Sequence, residues 1–292
     1  MTRWLNRFLM ASLTAATTCW AAQDTQTQST QRPINEELRT GGPYVPTPSE
    51  IVLQMLQFAK VGPQDYVIDL GSGDGVIVLT AAHRYKSSGE GIEIDPELVR
   101  LSNERAQNLG IGNQVSFAAK DVFKADVSRA TVVTLYLLPD MMRALLPKLF
   151  RELRPGTRIV SHDYHFDAWQ HEDTVTFHAP EKESITGIPE ATLYRWVVPA
   201  RVDGRWDVTA EGMLAAELRL RQHYNGFEGE SRMRDSESSL TRTRLNGDEM
   251  LFTKRVGDTE WQFRGRVSGD VIEGVAESSG RRAARWRAVR RG

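Results

Sequence analysis

A turn built from three glycines and two acidic residues could bind a ligand. It runs from Asp69 to Gly75 and reads Asp-Leu-Gly-Ser-Gly-Asp-Gly. The apolar run Tyr66–Leu70 before it has the composition of a buried strand, and Val76–Tyr85 after it has helical periodicity. A glycine turn between a strand and a helix lets a ligand approach the backbone and the positive helix N-terminus. The pattern predicts a ligand site, although NAD and FAD enzymes and some structural turns share it.

The spacing and charge of this turn narrow the class of ligand. The glycines repeat as G-x-G-x-G, whereas the dinucleotide fingerprint is G-x-G-x-x-G. Asp69 and Asp74 would repel a pyrophosphate, but they suit a ligand with a cationic ammonium and a sulfonium. Glu93 ends the next predicted strand and can accept both ribose hydroxyls. Asp121 follows the third strand and can receive an adenine amino group, with backbone contact from Val122. Together these positions predict S-adenosylmethionine as the cofactor.

Each acidic residue also has a plainer explanation. Asp69 could cap the following helix, and Glu93 could be exposed at a strand end, with Asp95 competing for its role. Asp121 could be a turn former. All three occur in order and on the right elements, which favours a class I methyltransferase domain over these separate explanations.

Methyl transfer is an in-line displacement, so the enzyme mainly aligns a neutral nucleophile with the methyl carbon and excludes water. Tyr44 and Tyr136 are candidates to orient an amine, or they pack at a domain edge. His162 and Asp163 suggest a general base, but a histidine near a strand end is more often structural.

The elements that must position these residues alternate between strand and helix. Further strands are predicted at Gly89–Ile94, Val115–Ala118, Thr131–Leu135 and Thr157–His162, and further helices at Pro96–Leu109 and Met141–Leu153. Such alternation predicts parallel pairing with right-handed crossovers, hence an α/β, doubly wound, Rossmann-like sheet.

The periodicity changes to two in the C-terminal part of the chain. Apolar and charged residues alternate there, and turn signals such as Asn225-Gly226 recur at short spacing. About eight short strands between Trp206 and Arg290 are enough to close a small antiparallel barrel. We therefore predict a methyltransferase domain at 43–200 and an all-β, barrel-like domain at 201–292.

The N-terminal residues have a different character. Residues 1–22 combine two arginines, a weakly apolar run and small residues, which predicts a signal peptide or an N-terminal anchor. Residues 23–42 are polar and rich in Gln and Thr, as in a linker. We expect an exported protein, periplasmic or envelope-associated, if the signal is used. Otherwise the protein would be membrane-anchored or cytoplasmic.

Composition excludes some partners. The 292 residues carry 37 Lys and Arg against 38 Asp and Glu, a net charge of -1, so overall charge gives no support to nucleic-acid binding. The single cysteine excludes a disulfide framework. The histidines show no ligand spacing with carboxylates, so no metal is predicted.

Several motifs also carry a family resemblance. In order, they are YVPTP (44–48), VIDLGSGDGVIVLTAA (67–82), GIEIDPELV (91–99), KDVFKADVS (120–128), TVVTLYLLP (131–139) and LRPGTRIVSHDYHFDAW (153–169). This stretch resembles the seven-strand lysine methyltransferases of mitochondria that modify the ATP synthase c-subunit and the adenine nucleotide translocase, and bacterial relatives that carry export signals. The resemblance covers roughly residues 43–170 and does not reach the C-terminal part.

The resemblance implies roles for particular positions. Cofactor contacts are implied at Asp69, Gly71, Ser72, Gly73, Gly75, Glu93 and Asp121. The segment 44–48 resembles a lid over the methionine end of the cofactor, and the segment 136–139 occupies the place of the acceptor pocket.

The functional hypothesis is therefore S-adenosylmethionine-dependent methyl transfer to an acceptor, which the resemblance implies is a protein lysine amine. The alternatives are a non-catalytic binding module of the same fold and a methyltransferase for a small molecule or lipid. A nucleotide-dependent oxidoreductase is disfavoured by the glycine spacing. A membrane-proximal substrate is compatible with an export signal, but the cofactor would then need a supply outside the cytoplasm. The oligomeric state stays open.

Overall fold

Two β-sheets, A and B, organise the part of the chain that the computed structural model describes, which is residues 44–213, 215–234 and 236–292. Both sheets belong to one compact unit. The predicted signal or anchor at 1–22 and the predicted linker at 23–42 lie outside the described residues.

Sheet A has seven strands in the order β3-β2-β1-β4-β5-β7-β6, in which β7 runs antiparallel to both of its neighbours, β5 and β6. The strands are β1 (Tyr66–Leu70), β2 (Ser88–Glu93), β3 (Val115–Ala119), β4 (Val132–Leu135), β5 (Arg158–His162), β6 (Asp173–His178) and β7 (Glu190–Val197). The doubly wound prediction is confirmed, and the five predicted strands agree to within a residue at each end. The last two strands were not predicted, because β6 is a largely exposed edge strand without the apolar run of a buried strand.

Within the described residues, five helices accompany this sheet: α1 (Ser49–Phe58), α2 (Val76–Tyr85), α3 (Pro96–Asn108), α4 (Pro139–Glu152) and α5 (Pro180–Thr186). Alternate residues of β1 pack into two different hydrophobic clusters, one on each face of the sheet. Val67 packs with residues of α1 and α2, whereas Ile68 and Leu70 pack with residues of α4. Both faces of the sheet are therefore covered, which explains why its strands are continuous apolar runs. Within the described chain, no helix is both long enough and apolar enough to cross a membrane.

Sheet B is antiparallel throughout and nearly closed, as the predicted barrel-like fold requires. Its strands are β8 (Gly204–Ala210), β9 (Ala216–His223), β10 (Gly226–Met233), β11 (Ser236–Ser239), β12 (Thr241–Asn246), β13 (Glu249–Val256), β14 (Thr259–Ser268), β15 (Val271–Glu277) and β16 (Ala284–Arg290). Its interior is packed by large side chains, among them the fully buried Trp206, Phe252 and Ile272. Lys254 from β13 donates to Ser231 Oγ on β10 at 2.5 Å, across the gap between the two edges.

Lys254 is a buried cation whose one hydrogen-bond partner among the described residues is a neutral hydroxyl. Burial lowers the pKa of Lys254 below its ordinary 10.5, so the unfolded chain holds this proton more tightly than the folded chain. The folded state should therefore gain stability as the pH rises towards that ordinary value. Because the buried charge is costly at neutral pH, we expect Lys254→Met combined with Ser231→Ala to stabilise the protein by about 1 kcal/mol. Urea unfolding at pH 7 measures this.

Lys148 provides the matched control. It is 8% exposed, close to the 6% of Lys254, but it forms an ion pair with Glu152. We expect Lys148→Met to leave stability unchanged or lower it. A double variant that unfolds at lower urea than wild type would contradict the cost assigned to Lys254.

Candidate active site

A cavity of about 610 Å³ opens at the carboxyl edge of sheet A, beyond the ends of β1, β2, β4 and β5. Open α/β sheets bind ligands at this edge, and small-molecule sites commonly measure roughly 300–1,000 Å³. The strands divide the cavity into two sides. The β1–β2 side is lined by the acidic residues Asp69, Asp74, Glu93 and Asp95. The β4–β5 side is lined by Tyr136, Leu137, Leu138, Met141 and Tyr164.

The glycine turn is held in place by backbone hydrogen bonds. The N–H groups of Gly71 and Ser72 both donate to the Ile92 carbonyl, at 2.8 and 3.0 Å. Gly75 adopts φ +80 at the start of α2, a conformation that favours glycine. The Ser72 hydroxyl is buried and has no hydrogen-bond partner among the described residues. A rigid turn with a free buried hydroxyl is suited to a polar ligand.

Glu93 connects this turn to the end of β2. Its Oε2 accepts from the Gly73 N–H at 2.8 Å, and its Oε1 accepts from the N–H groups of Ile94 at 2.7 Å and Asp95 at 3.0 Å. Since a carboxylate offers about four acceptor positions, Glu93 can still accept from a ligand. Its predicted ribose contact is compatible with this geometry and stays a prediction.

The third predicted cofactor region consists of Asp121 and Val122, and the structure places these two residues differently. Val122 lines the cavity, whereas Asp121 does not. The Oδ1 atom of Asp121 accepts from the Phe123 N–H at 2.9 Å, the contact of a turn-forming residue. The structure therefore brings Val122 into the site and leaves the adenine contact of Asp121 a prediction. Gly75 also lies outside the lining, behind the turn.

Asp69 is a buried carboxylate at the end of β1. Its Oδ1 accepts from the Thr134 hydroxyl of β4 at 2.7 Å. Burial raises the pKa of Asp69 to about 7, and the charges of Glu93 and Asp74 add to this, while the Thr134 hydrogen bond opposes it. Near neutral pH the group is therefore poised between its protonated and ionised forms.

Because the pKa of Asp69 lies near neutral pH, cofactor binding should depend on pH in a way that can be tested. A cationic ligand favours the ionised Asp69, so binding should release a proton and tighten as the pH rises from about 6 to 7.5, by less than tenfold per pH unit. Titration calorimetry with S-adenosylmethionine, in two buffers of different ionisation heat, should give proton release near pH 7. Asp69→Asn should remove most of that release, and an unchanged release in this variant would assign the proton to another group.

Tyr44 lies across the glycine turn. A Cβ atom added at Gly73, where φ is +52, would lie 2.8 Å from Tyr44 Cδ2, so the ring contacts the turn backbone directly. Burial, followed by the nearby Asp74 carboxylate, raises the pKa of Tyr44 to about 12. Arg105 from α3 holds Asp74 by donating to its Oδ2 atom at 2.5 Å. The ring is placed as the predicted lid requires, and its role stays a prediction.

On the β4–β5 side, Tyr136 reaches the cavity and His162 packs against its ring at 4.1 Å between centroids. Burial and then the charge of Asp163 raise the pKa of Tyr136 to about 12, so its hydroxyl keeps its proton. His162 is fully buried and outside the cavity lining, and its two ring nitrogens have no hydrogen-bond partner among the described residues. Burial lowers the pKa of His162 to about 4, so the imidazole is neutral.

Asp163 also lies outside the lining and is tied to neighbouring elements. Its Oδ2 lies 2.6 Å from Lys182 Nζ on α5, and its Oδ1 accepts from the Thr192 N–H of β7 at 3.1 Å. These contacts fix the chain where it leaves β5, behind the cavity wall. The structure thus assembles Tyr44 and Tyr136 in the cavity and places His162 and Asp163 behind it, so all four catalytic assignments stay predictions.

Four residues of the site were missed at the level of sequence: Thr134, Arg105, Tyr164 and Lys182. Thr134 had a signal, because it is the hydroxyl in the otherwise apolar strand β4. The sequence also carried a signal for Tyr164, because this residue lies just beyond the end of β5, in the same way that Tyr136 lies just beyond the end of β4. Arg105 and Lys182 had none, because a charged residue in a helix is ordinarily on its solvated face.

The residues present fit S-adenosylmethionine. The buried carboxylate of Asp69 faces a cavity that, within the described residues, provides it no cationic partner. Glu93 accepts three backbone hydrogen bonds and retains about one acceptor position for a ligand hydroxyl. A Cβ atom added at Gly71 would lie 2.7 Å from Leu137 Cδ2, so glycine keeps the turn backbone free of a side chain beside the cavity. The buried Ser72 hydroxyl has no hydrogen-bond partner among the described residues. Across the described ranges, no group of three or more potential metal ligands occurs, and the absence of a metal stays a prediction.

Known proteins resemble this chain over the same region. The model of the family described as the ANTKMT methyltransferase domain matches residues 69–173. A protein-lysine N-methyltransferase of Saccharolobus islandicus (strain REY15A) is 41% identical over 134 residues, 46% of this chain and 83% of that enzyme. The lysine N-methyltransferase of the ATP synthase c-subunit from Rattus norvegicus is 35% identical over 135 residues, 45% of this chain and 60% of that enzyme. The crystal structure of an RNA methyltransferase from Salinibacter ruber with S-adenosyl-L-homocysteine is 44% identical, with a TM-score of 0.49, and covers 54% of this chain and 96% of that one.

The strand order of sheet A and the acidic cavity at its carboxyl edge define the class, that of S-adenosylmethionine-dependent methyltransferases, and S-adenosylmethionine is the cofactor. Within this class, the relative from Saccharolobus islandicus is matched over 83% of its length. The chain belongs to the family of the ANTKMT methyltransferase domain. The resemblance noted in the motifs is thereby confirmed, and sheet B lies beyond the residues that the family model matches.

Proposed function

We propose that the protein transfers a methyl group to the side-chain amine of a lysine in a protein acceptor. The observation that carries this proposal is the composition of the β4–β5 side of the cavity, where aromatic and aliphatic residues replace the carboxylates of the other side. The names of the related enzymes from Saccharolobus islandicus and Rattus norvegicus, both lysine methyltransferases, support it.

A lysine side chain suits this wall for two reasons. Its aliphatic stem can pack along Leu137, Leu138 and Met141, as long cationic side chains do on apolar surfaces. Its amine can form hydrogen bonds with the hydroxyls of Tyr136 and Tyr164, which line the same side. Leu138 is 41% exposed, which leaves an apolar rim for the acceptor.

The acceptor amine must be neutral before it can react. When bound, S-adenosylmethionine supplies a methyl group on a sulfonium: the neutral amine attacks the methyl carbon in line, the carbon–sulfur bond breaks, and S-adenosylhomocysteine leaves. Tyr44 and Tyr136 are not bases at neutral pH, because their raised pKa values keep both hydroxyls protonated. We infer that desolvation against the aromatic wall lowers the pKa of the amine and that the proton leaves to water.

Labelled methyl transfer tests the proposal. The full chain is incubated with methyl-tritiated S-adenosylmethionine and a cell-envelope lysate, and labelled peptides are mapped by mass spectrometry. We expect label on protein lysine, lost in Glu93→Ala and retained in Glu97→Ala, which changes an exposed residue of α3. Label in small molecules or lipid would replace the proposed acceptor, and no label would indicate a binding module.

We also propose that residues 1–22 direct the protein to the cell envelope, as a cleaved signal or as an anchor, so that the acceptor is membrane-proximal. The support is the order of charged, apolar and small residues in this segment. An alkaline phosphatase fusion after residue 42 should be active only if the segment is exported. An inactive fusion would contradict this proposal.

A further inference from the structure

We propose that sheet B acts on the methyl-transfer site through Tyr224, which holds the loop that carries Tyr164 into the cavity. Tyr224 would then be a positioning residue for the acceptor side. This inference rests on the proposed function and adds a role for sheet B, which neither the cavity nor the family model includes.

The loop in question, residues 163–172, connects β5 to β6 and is defined here as the acceptor loop. Tyr164, its second residue, lines the cavity and stacks on Tyr136 at 6.3 Å between centroids, with the ring planes 19° apart. Backbone hydrogen bonds to β7 secure the two ends, from the Asp163 N–H at 2.7 Å and the Glu172 N–H at 2.8 Å. The middle of the loop depends mainly on side-chain packing.

That packing is aromatic. Phe166 and Trp169 are 2% and 1% exposed, and their rings stack at 5.9 Å between centroids. The Trp169 carbonyl accepts from the Trp196 indole of β7 at 2.8 Å. Tyr164 therefore projects from a loop whose shape is set by two buried aromatic side chains.

Tyr224 supplies the outer side of this cluster. Its ring stacks on Trp169 at 6.1 Å with an interplanar angle of 13°, and it meets the edge of Phe150 at 5.3 Å. Phe150 belongs to α4, the helix that follows the Tyr136–Leu138 wall. Tyr224 thus contacts both segments that supply the β4–β5 side of the cavity.

The backbone at Tyr224 indicates that this contact is constrained. Tyr224 and Asn225 form the two-residue turn between β9 and β10, and Tyr224 has φ +51. This left-handed conformation is unfavourable for a bulky residue and persists where the surroundings require it. A glycine there would form the turn without that cost.

A side-chain amide fixes the same turn to the segment between the sheets. Gln222 Nε2 donates to the carbonyls of Tyr224 at 2.8 Å and Ala200 at 2.9 Å, while its Oε1 accepts from the Val202 N–H at 2.7 Å. Because the turn is fixed independently of the acceptor loop, it can hold that loop in place.

Removing the Tyr224 ring should make the acceptor loop on the β4–β5 side of the cavity more mobile and leave the glycine turn on the β1–β2 side unchanged. We compare Tyr224→Gly, which also relieves the positive φ, with Tyr224→Ala and with Tyr224→Phe, which keeps the ring. Hydrogen exchange of the full chain with S-adenosylhomocysteine bound is followed by mass spectrometry. We expect at least tenfold faster exchange in 163–172 for the Gly and Ala variants, no change in 69–75, and wild-type behaviour for Phe.

Kinetics complete the test. With the lysate acceptor, the Gly and Ala variants should need at least fivefold more acceptor for half-maximal rate, while the calorimetric dissociation constant for S-adenosylhomocysteine stays within twofold. Unchanged exchange in 163–172, or an equal loss in the Phe variant, would overturn the inference. The proposed function fails separately, if the wild-type protein labels no lysine.

Discussion

Replacing Glu93 by alanine is expected to raise the dissociation constant for S-adenosylmethionine at least a hundredfold. The Glu93 carboxylate orders the site, because it accepts hydrogen bonds from the N–H groups of Gly73, Ile94 and Asp95. It also lines the cavity, where a ligand would meet it. Hydrogen bonds to a charged group contribute about 1.5–3 kcal/mol each, and a hundredfold loss is about 2.7 kcal/mol. The loss of the predicted ribose contact, together with the loss of the hydrogen bonds that order the turn, is therefore sufficient for a hundredfold rise in the dissociation constant. Titration calorimetry measures the effect.

Two variants make this result interpretable. Glu97→Ala removes an exposed carboxylate from the first turn of α3 and should bind the cofactor like wild type. Glu93→Gln keeps one acceptor oxygen and should fall between wild type and Glu93→Ala. If Glu93→Ala stays folded by circular dichroism and binds within threefold of wild type, the carboxylate does not hold the cofactor.

Replacing Gly73 by alanine is expected to weaken cofactor binding by at least tenfold. The new methyl group would lie 2.8 Å from Tyr44 Cδ2, closer than van der Waals contact allows, so the ring must leave its place over the turn. Tyr44 covers the glycine turn and lines the cavity, so its displacement should open that wall. Binding of S-adenosylhomocysteine by calorimetry and urea unfolding together measure the change.

Gly110→Ala controls for backbone strain. Gly110 also has a positive φ, +69, but a Cβ atom added there would have no neighbour within 4 Å among the described residues. Both variants should lose similar stability, about 1–2 kcal/mol, because both force a left-handed alanine. Gly73→Ala alone should lose affinity, and an equal loss in both variants would attribute the effect to stability and not to Tyr44.

The cofactor side of the site was accessible from sequence because its parts are local. The Asp69–Gly75 turn joins an element with strand periodicity to one with helical periodicity, and both elements occur at the predicted residues. Glu93 could be placed because β2 is the next strand and parallel strands end at one edge. Each of these inferences required only residues that are adjacent in the sequence, or two strands joined by a single crossover connection.

The acceptor side was less accessible. His162 and Asp163 were correctly placed near the end of β5, but the burial of His162 and the contacts of Asp163 depend on packing against β7 and α5. The exposed strand β6 had no apolar run to reveal it, whereas β7, in which apolar residues such as Leu193 and Trp196 are buried, carried a signal that was missed. Without these elements, Lys182 could not be connected with Asp163, nor Tyr164 with the cavity.

The order of residues alone determines the α/β class, the glycine turn, the ligand charge it favours and the change to antiparallel strands, because hydrophobic period and turn chemistry are properties of short segments. Folding in three dimensions decides which side chains meet. Asp69 finds Thr134, 65 positions away, and Trp169 finds Tyr224 from the other sheet. Such pairs depend on strand order, register and the docking of two sheets, and no local pattern encodes these.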